Sequence, residues 1–325
     1  MRPTQVSIAI GDHEYGLHTY GFLVGLGFAV GILRFWRSGR RQGLDGGRLL
    51  DLAFWSIVAG MFGSRLAFVL LNARAFLDAC FAPFDASTTA LRFSGCTAAL
   101  RFWEGGLIFY GGVIASGGVV LWFCRRERWS FWTLGDLAAP TLALGHAIGR
   151  LGCFFAGCCF GATCRAPWGV AFPRGSVAFD ELQADGALAP GATHTPALHP
   201  TQLYEAAGEF AVFALLLWLE ARWTRQDSRT GSPSAPPGRL FLVYAAAYAG
   251  LRFVVELFRG DAARGHLLAW TAPALAVRLG LPPQQPLLLS FSQAVSLVVL
   301  AGAGTIAWRR ANRNMPARRA AATTP

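Results

Sequence analysis

The sequence contains no lysine: all 29 of its basic residues are arginine. That bias reads as genome composition and assigns no role by itself. Charge of either sign is scarce, at 14% of residues against 54% hydrophobic ones. The length would allow two soluble domains, but the apolar runs are too long for that class. No small-x-small site closes a short apolar run behind Arg2, so no cleavable signal peptide is expected. No internal repeat stands out, which counts against most transporter folds. There is no C-x2-C pair of the kind that marks a zinc site.

What is present is apolar sequence in long runs, with a mean hydropathy of +0.40. Seven runs, at 20–36, 51–71, 105–124, 132–155, 203–221, 239–258 and 288–308, approach the roughly 20 residues a membrane span needs. The expected fold is an all-α integral membrane protein of about seven transmembrane helices. It should form a single membrane-embedded domain over residues 1–325.

Arginine placement sets the orientation. Arg34, Arg37, Arg40, Arg41 and Arg48 follow the first run. Arg125, Arg126 and Arg128 follow the third. Arg222, Arg225, Arg229 and Arg239 follow the fifth, and Arg309, Arg310, Arg313, Arg318 and Arg319 follow the seventh. The opposite side carries fewer. The positive-inside rule then places the N-terminus outside and the C-terminus in the cytoplasm. The net charge of +11 faces anionic headgroups on this reading and needs no nucleic acid. The long loops 72–104 and 161–202 fall outside, and loops of that length are functional or disordered. Residues 225–238 read as a flexible linker, and 309–325 as a flexible cytoplasmic basic tail.

Three arginines remain inside the runs: Arg65, Arg150 and Arg252. Each costs roughly 2.5–3.5 kcal/mol to insert on the lower scales, so something must offset it. Arg150 and Arg252 together suggest an anionic ligand, most simply a phosphate. Arg252, Glu256 and Arg259 are spaced to share one helix face. An internal ion pair with no ligand is the rival reading there. Pro200 and Thr201 make a helix start that sets Glu205 about one turn in. Gly149, Gly152, Gly157 and Gly161 around Arg150 allow close approach of backbone to a helix or a ligand.

Cys153, Cys158, Cys159 and Cys164 have the spacing C-x4-C-C-x4-C. They read first as small structural residues or a disulfide. A metal site or a thiol-redox role is the lesser alternative. Cys80 and Cys96 share the first outer loop and could pair. Cys124 reads as an inert span residue.

Six strings, in order along the chain, resemble the prolipoprotein diacylglyceryl transferase family. They are Gly16–Gly21, Gly63–Leu66, Trp103–Gly112, Gly149–Gly152, His199–Glu205 and Arg252–Arg259. The resemblance implies an enzyme of the bacterial cytoplasmic (inner) membrane that needs no metal or organic cofactor. Its partners would be phosphatidylglycerol, prolipoprotein signal peptides with a lipobox, and membrane lipids. The reaction would move the diacylglyceryl group to the lipobox cysteine thiol and release glycerol phosphate. Arg150 and Arg252 would grip the phosphate, with Glu256 holding Arg252. Tyr110 and His199 would handle protons. Arg65, Glu205, Tyr20 and Arg259 would contact the substrate or headgroup. The chain departs from the family signature at Cys153, where asparagine is usual, and at Ala156-Gly157-Cys158, where Asn-Gly-Glu is usual. Tyr110 stands where many members carry histidine. The alternatives from other classes are a transporter or lipid carrier for an anionic cargo, and an envelope thiol-redox protein.

Overall fold

The computed structural model describes residues 4–10, 13–81, 97–101, 106–230, 236–260 and 265–322. Each apolar run falls on a helix. These are α1 (Thr19–Arg41), α2 (Gly46–Leu71), α4 (Phe109–Arg126), α5 (Phe131–Ala156), α7 (Thr201–Thr230), α8 (Arg239–Glu256) and α10 (Phe291–Ala322). Shorter helices α3 (Ala73–Phe81), α6 (Val177–Ala184) and α9 (Pro273–Arg278) lie in the connections. Among the described residues, four helices are long and apolar enough to cross a membrane by length and composition: α1, α2, Thr201–Arg229 of α7 and Phe291–Asn312 of α10. Large apolar side chains such as Phe22, Phe54, Phe62, Leu70, Ile114, Trp218 and Val298 face outward. A water-soluble helical protein would bury them.

Two antiparallel hairpins depart from the all-helical expectation. The first pairs β1 (Thr4–Ile10) with β2 (His13–His18), and the second pairs β3 (His266–Thr271) with β4 (Pro286–Ser290). In β1, Val6, Ile8 and Ile10 alternate with Ser7 and Ala9, a period of two that a scan for long apolar runs passes over. β4 takes the first residues of the run 288–308. The helix starts only at Phe291 because Ser290 and Gln293 cap it reciprocally. The Gln293 amide N–H donates to Ser290 Oγ at 3.2 Å, and the Ser290 N–H donates to Gln293 Oε1 at 3.0 Å. α10 then continues to Ala322, through most of the stretch read as a tail.

The chain divides into two compact units, with the divisions falling inside α1 and α5. In the unit Phe35–Leu134, α2 and α4 run antiparallel at backbone contact. A methyl group on Gly63 would lie 2.6 Å from the Gly111 carbonyl oxygen, and one on Gly112 would lie 3.0 Å from that of Gly60. Ser116 Oγ donates to the Ser56 carbonyl at 2.7 Å across the same seam. Small residues at a helix crossing are how apolar helices associate where lipid cancels the hydrophobic drive.

In the unit Met1–Arg34 with Gly135–Pro325, α1 meets α5 in the same way. A methyl group on Gly27 would lie 2.9 Å from the Gly145 carbonyl oxygen. Ala139 and Ala143 of α5 pack with Val212 and Leu216 of α7 and Leu240 of α8. Asp136, near the start of α5, accepts from the Gly238 N–H at 2.6 Å and the Phe241 N–H at 2.8 Å. It thereby satisfies the open donors that begin α8. The long loop 161–202 is packed: Phe160, Phe172, Ala178 and Leu198 form a buried cluster of their own. The 72–104 loop is largely outside the described residues. The Cys80–Cys96 pairing and Trp103–Gly105 fall there too.

Gly63→Val should lower the thermal midpoint of the detergent-solubilised protein. Overpacking a tight contact costs about 1–3 kcal/mol. Gly117→Val, where nothing lies within 4 Å of an added methyl, is the control. Equal midpoints for the two variants would refute the tight α2–α4 seam.

Candidate active site

Three helices each present two polar side chains four residues apart, so that each pair shares a face. α5 carries His146 and Arg150, α7 carries Glu205 and Glu209, and α8 carries Arg252 and Glu256. Glu205 is 1% exposed and joins the two arginines. Its Oε1 accepts from Arg150 Nη2 at 3.0 Å, and its Oε2 lies 3.5 Å from Arg252 Nη1. Arg252 Nη2 pairs with Glu256 Oε2 at 2.7 Å, and Ser290 Oγ donates to the other oxygen of Glu256 at 3.0 Å. Arg150 Nε donates to His146 Nε2 at 3.0 Å. With that nitrogen accepting, the His146 proton sits on Nδ1 and is shared with Glu209 Oε1 at 2.9 Å. Tyr248 meets the His146 ring edge-on and stacks on Tyr244.

Arg150 and Arg252, expected to converge, do so on a single carboxylate. Glu256 pairs with Arg252, and Glu205 adds a carboxylate shared by both arginines. A guanidinium carries five N–H donors in a planar fork. Glu205 takes one from Arg150 and His146 takes another, so donors remain for an anion beside the bridge.

The other expected site residues are distributed as follows. Tyr20 lies against Gly152 of α5, next to the Arg150 segment. Arg259 forms an isolated bridge with Gly161, and its carbonyl accepts from Gln285 Nε2 at 2.7 Å. His199 is fully buried six residues before Glu205, and both of its nitrogens are engaged. Nδ1 contacts the Tyr204 hydroxyl at 3.0 Å and Nε2 the Gly280 carbonyl at 3.3 Å. Burial pushes its pKa down, opposed by the Gly280 carbonyl. Its backbone pairs with Gly161 and Ala162, so it fastens the loop that follows α5. Arg65 and Tyr110 belong to the other unit. Arg65 donates to the carbonyls of Ala99 at 3.0 Å and Gly106 at 3.2 Å, under the rings of Phe68 and Phe76. Tyr110 is partly exposed, with its ring against Phe109.

Of the two structural readings of the cysteine group, the disulfide is not formed. Cys153, Cys158, Cys159 and Cys164 are all free thiols, so no disulfide forms among them. α5 ends at Ala156 and the chain reverses at Gly157, whose φ is +74°. That reversal brings the Sγ atoms of Cys153, Cys158 and Cys159 within 4.8 Å of one another. Cys164 is buried apart from them, with its Sγ 3.7 Å from the Ala166 carbonyl.

His146 and Glu209 are site residues that the sequence reading passes over. The signal for both is their spacing: His146 stands four residues before Arg150, and Glu209 four after Glu205. Ser290 carries no such signal, because the end of strand β4 brings it to Glu256.

A family model described as prolipoprotein diacylglyceryl transferase matches residues 5–309. A phosphatidylglycerol–prolipoprotein diacylglyceryl transferase of Thermosynechococcus vestitus is 32% identical over 250 residues, covering 75% of this chain and 78% of that protein. One from Rhodococcus jostii is 34% identical, covering 75% of this chain and 62% of its own longer length. One from Clostridium tetani is 26% identical, covering 76% and 83%. With the arginine pair in place and a family match over nearly its whole length, the chain belongs to the prolipoprotein diacylglyceryl transferase family.

Proposed function

We propose that this protein transfers the diacylglyceryl group of phosphatidylglycerol to the cysteine thiol of a prolipoprotein lipobox. The observation that carries this reading is the pair of arginines, from two helices, drawn onto one buried carboxylate. The acceptor thiol gives up its proton, its sulfur attacks the glyceryl carbon, the carbon–oxygen bond breaks, and that bond's electron pair passes to the phosphate oxygen. The products are a thioether and glycerol phosphate, which gains a second negative charge. Charge therefore develops on the leaving group, where fixed guanidinium donors lower the barrier most. Glu205 and Glu256 hold the two forks, and the His146–Glu209 pair steadies Arg150 from behind. Tyr20 and Arg259 flank the phosphate site.

The enzyme sits in the cytoplasmic membrane with seven spans, N-terminus outside and C-terminus in the cytoplasm. Both substrates are lipid-anchored, which suits a site reached sideways from the bilayer. A carrier would need only to hold its anionic cargo, and membership of a transferase family weighs against that alternative.

Arg252→Lys should lower turnover of phosphatidylglycerol by roughly 100- to 1,000-fold, the usual cost of removing a donor aimed at developing charge. The assay is glycerol phosphate release by variant protein matched to wild type in amount and thermal midpoint. Wild-type turnover would rule out a direct phosphate role for Arg252.

Glu205→Gln leaves two part-buried guanidinium groups without their shared counter-charge. It should destabilise the fold by about 3–5 kcal/mol, as breaking a buried pair does. Added phosphatidylglycerol should restore the thermal midpoint more than phosphatidylcholine does. An unshifted midpoint in plain detergent would show that Glu205 does not offset the arginines.

A further inference from the structure

Three half-buried thiols stand together at the end of the helix that carries Arg150. Their mutual separations of up to 4.8 Å are close to what a bound ion requires. Zinc–sulfur bonds of about 2.3 Å place the sulfurs of a tetrahedral site about 3.8 Å apart. The two loop cysteines are fixed by their backbones. Thr201 Oγ1 donates to the Cys159 carbonyl and Gln202 Nε2 to the Cys158 carbonyl, each at 2.8 Å. Cys159 is held at φ +58°, a left-handed conformation unusual for a residue other than glycine. Strain of this kind clusters at ligand sites. Packing alone does not explain it, because the three thiols are only partly buried. Arg150 stands three residues before Cys153, on the same face of α5. Its charge offsets part of the net negative charge that three thiolates leave on a divalent ion.

We propose that Cys153, Cys158 and Cys159 bind one thiophilic cation of the zinc class through three thiolates, and that its fourth position takes the acceptor thiol of the substrate. The second half rests on the transferase reading above. The sequence has no C-x2-C pair, but the reversal at Gly157 brings the three sulfurs together without one. Three protein ligands with an open position is the arrangement of ions that act on a fourth ligand. A thiol that coordinates such an ion gives up its proton outright. The proton leaves to solvent, and the bound sulfur keeps the lone pair that attacks the glyceryl carbon. The thioether product is neutral and binds the ion weakly, so it leaves. The ion is not consumed. At pH 7 a free thiol is only a few per cent ionised. Full ionisation, less the nucleophilicity lost on coordination, is worth on the order of tenfold in rate.

The full chain in detergent, stripped by chelator under reducing conditions and reloaded with Co2+ as a spectroscopic probe, tests both halves. The expected result is one Co2+ per chain with sulfur-to-cobalt charge-transfer absorption. A lipobox peptide should intensify that band, and its Cys→Ser counterpart should not. Bound Zn2+ should protect three thiols of the unmodified protein from maleimide, a readout that needs no mutant to fold. Cys158→Ser/Cys159→Ser should abolish loading. Stripped protein should lose transfer on the order of tenfold and regain it with Zn2+; a parallel arm with Cu+ identifies the ion. Substoichiometric cobalt, or equal loading in the double variant, would overturn the site. A spectrum indifferent to the cysteine peptide would overturn the fourth ligand. Loading and the peptide response without any transfer from phosphatidylglycerol would sustain this proposal and refute the transferase reading instead.

Discussion

Two guanidinium charges in an apolar protein share one carboxylate, and much of the larger unit is arranged to make that possible. Arg150 and Arg252 sit on different helices, and Glu205 arrives on a third. Each charge alone would be expensive to bury; together with Glu205 and Glu256 they form a chain of alternating sign. Such a chain constrains its surroundings. α5 must lie close to α1, which the glycine contacts at Gly27 and Gly145 permit. α7 must begin where Glu205 falls between the arginines, and Pro200 and Thr201 start it there.

Much of this is legible in the sequence because burial of charge is costly and therefore conspicuous. Arg150 and Arg252 stand out against apolar runs, and Pro200-Thr201 announces the start of α7. Glu205 is legible as a residue near the helix start, though its placement between both arginines is not: that depends on how α5, α7 and α8 pack. His146 and Glu209 are hidden for a different reason. A histidine or a glutamate has many ordinary uses, and only the four-residue spacing to a known site residue gives it away. The hairpins are missed because a scan tuned to runs of about 20 residues is blind to strands of five to seven.

The cysteines show where sequence spacing does not reveal proximity. Ligand-spacing rules assume that nearby residues share one local geometry. Here the helix ends between Cys153 and Cys158, and a glycine with positive φ folds the chain back. Residues five apart in sequence become neighbours that neither a helix nor a strand would make. His199 makes the complementary point. As a histidine in a motif it invites a catalytic reading, yet its two nitrogens and its backbone fasten the returning loop.

Asp136 has a geometric consequence. It ties the start of α8 to α5 through the N–H groups of Gly238 and Phe241. The same number of residues separates Asp136 from Arg150 as separates Gly238 from Arg252. At about 1.5 Å per residue, both helices run roughly 21 Å from that common origin to the same carboxylate. The two helices thus act as matched rulers laid from one zero mark. Inserting or deleting a single residue in either turns its arginine by about 100° and shifts it out of step with the other, however conservative the residue added.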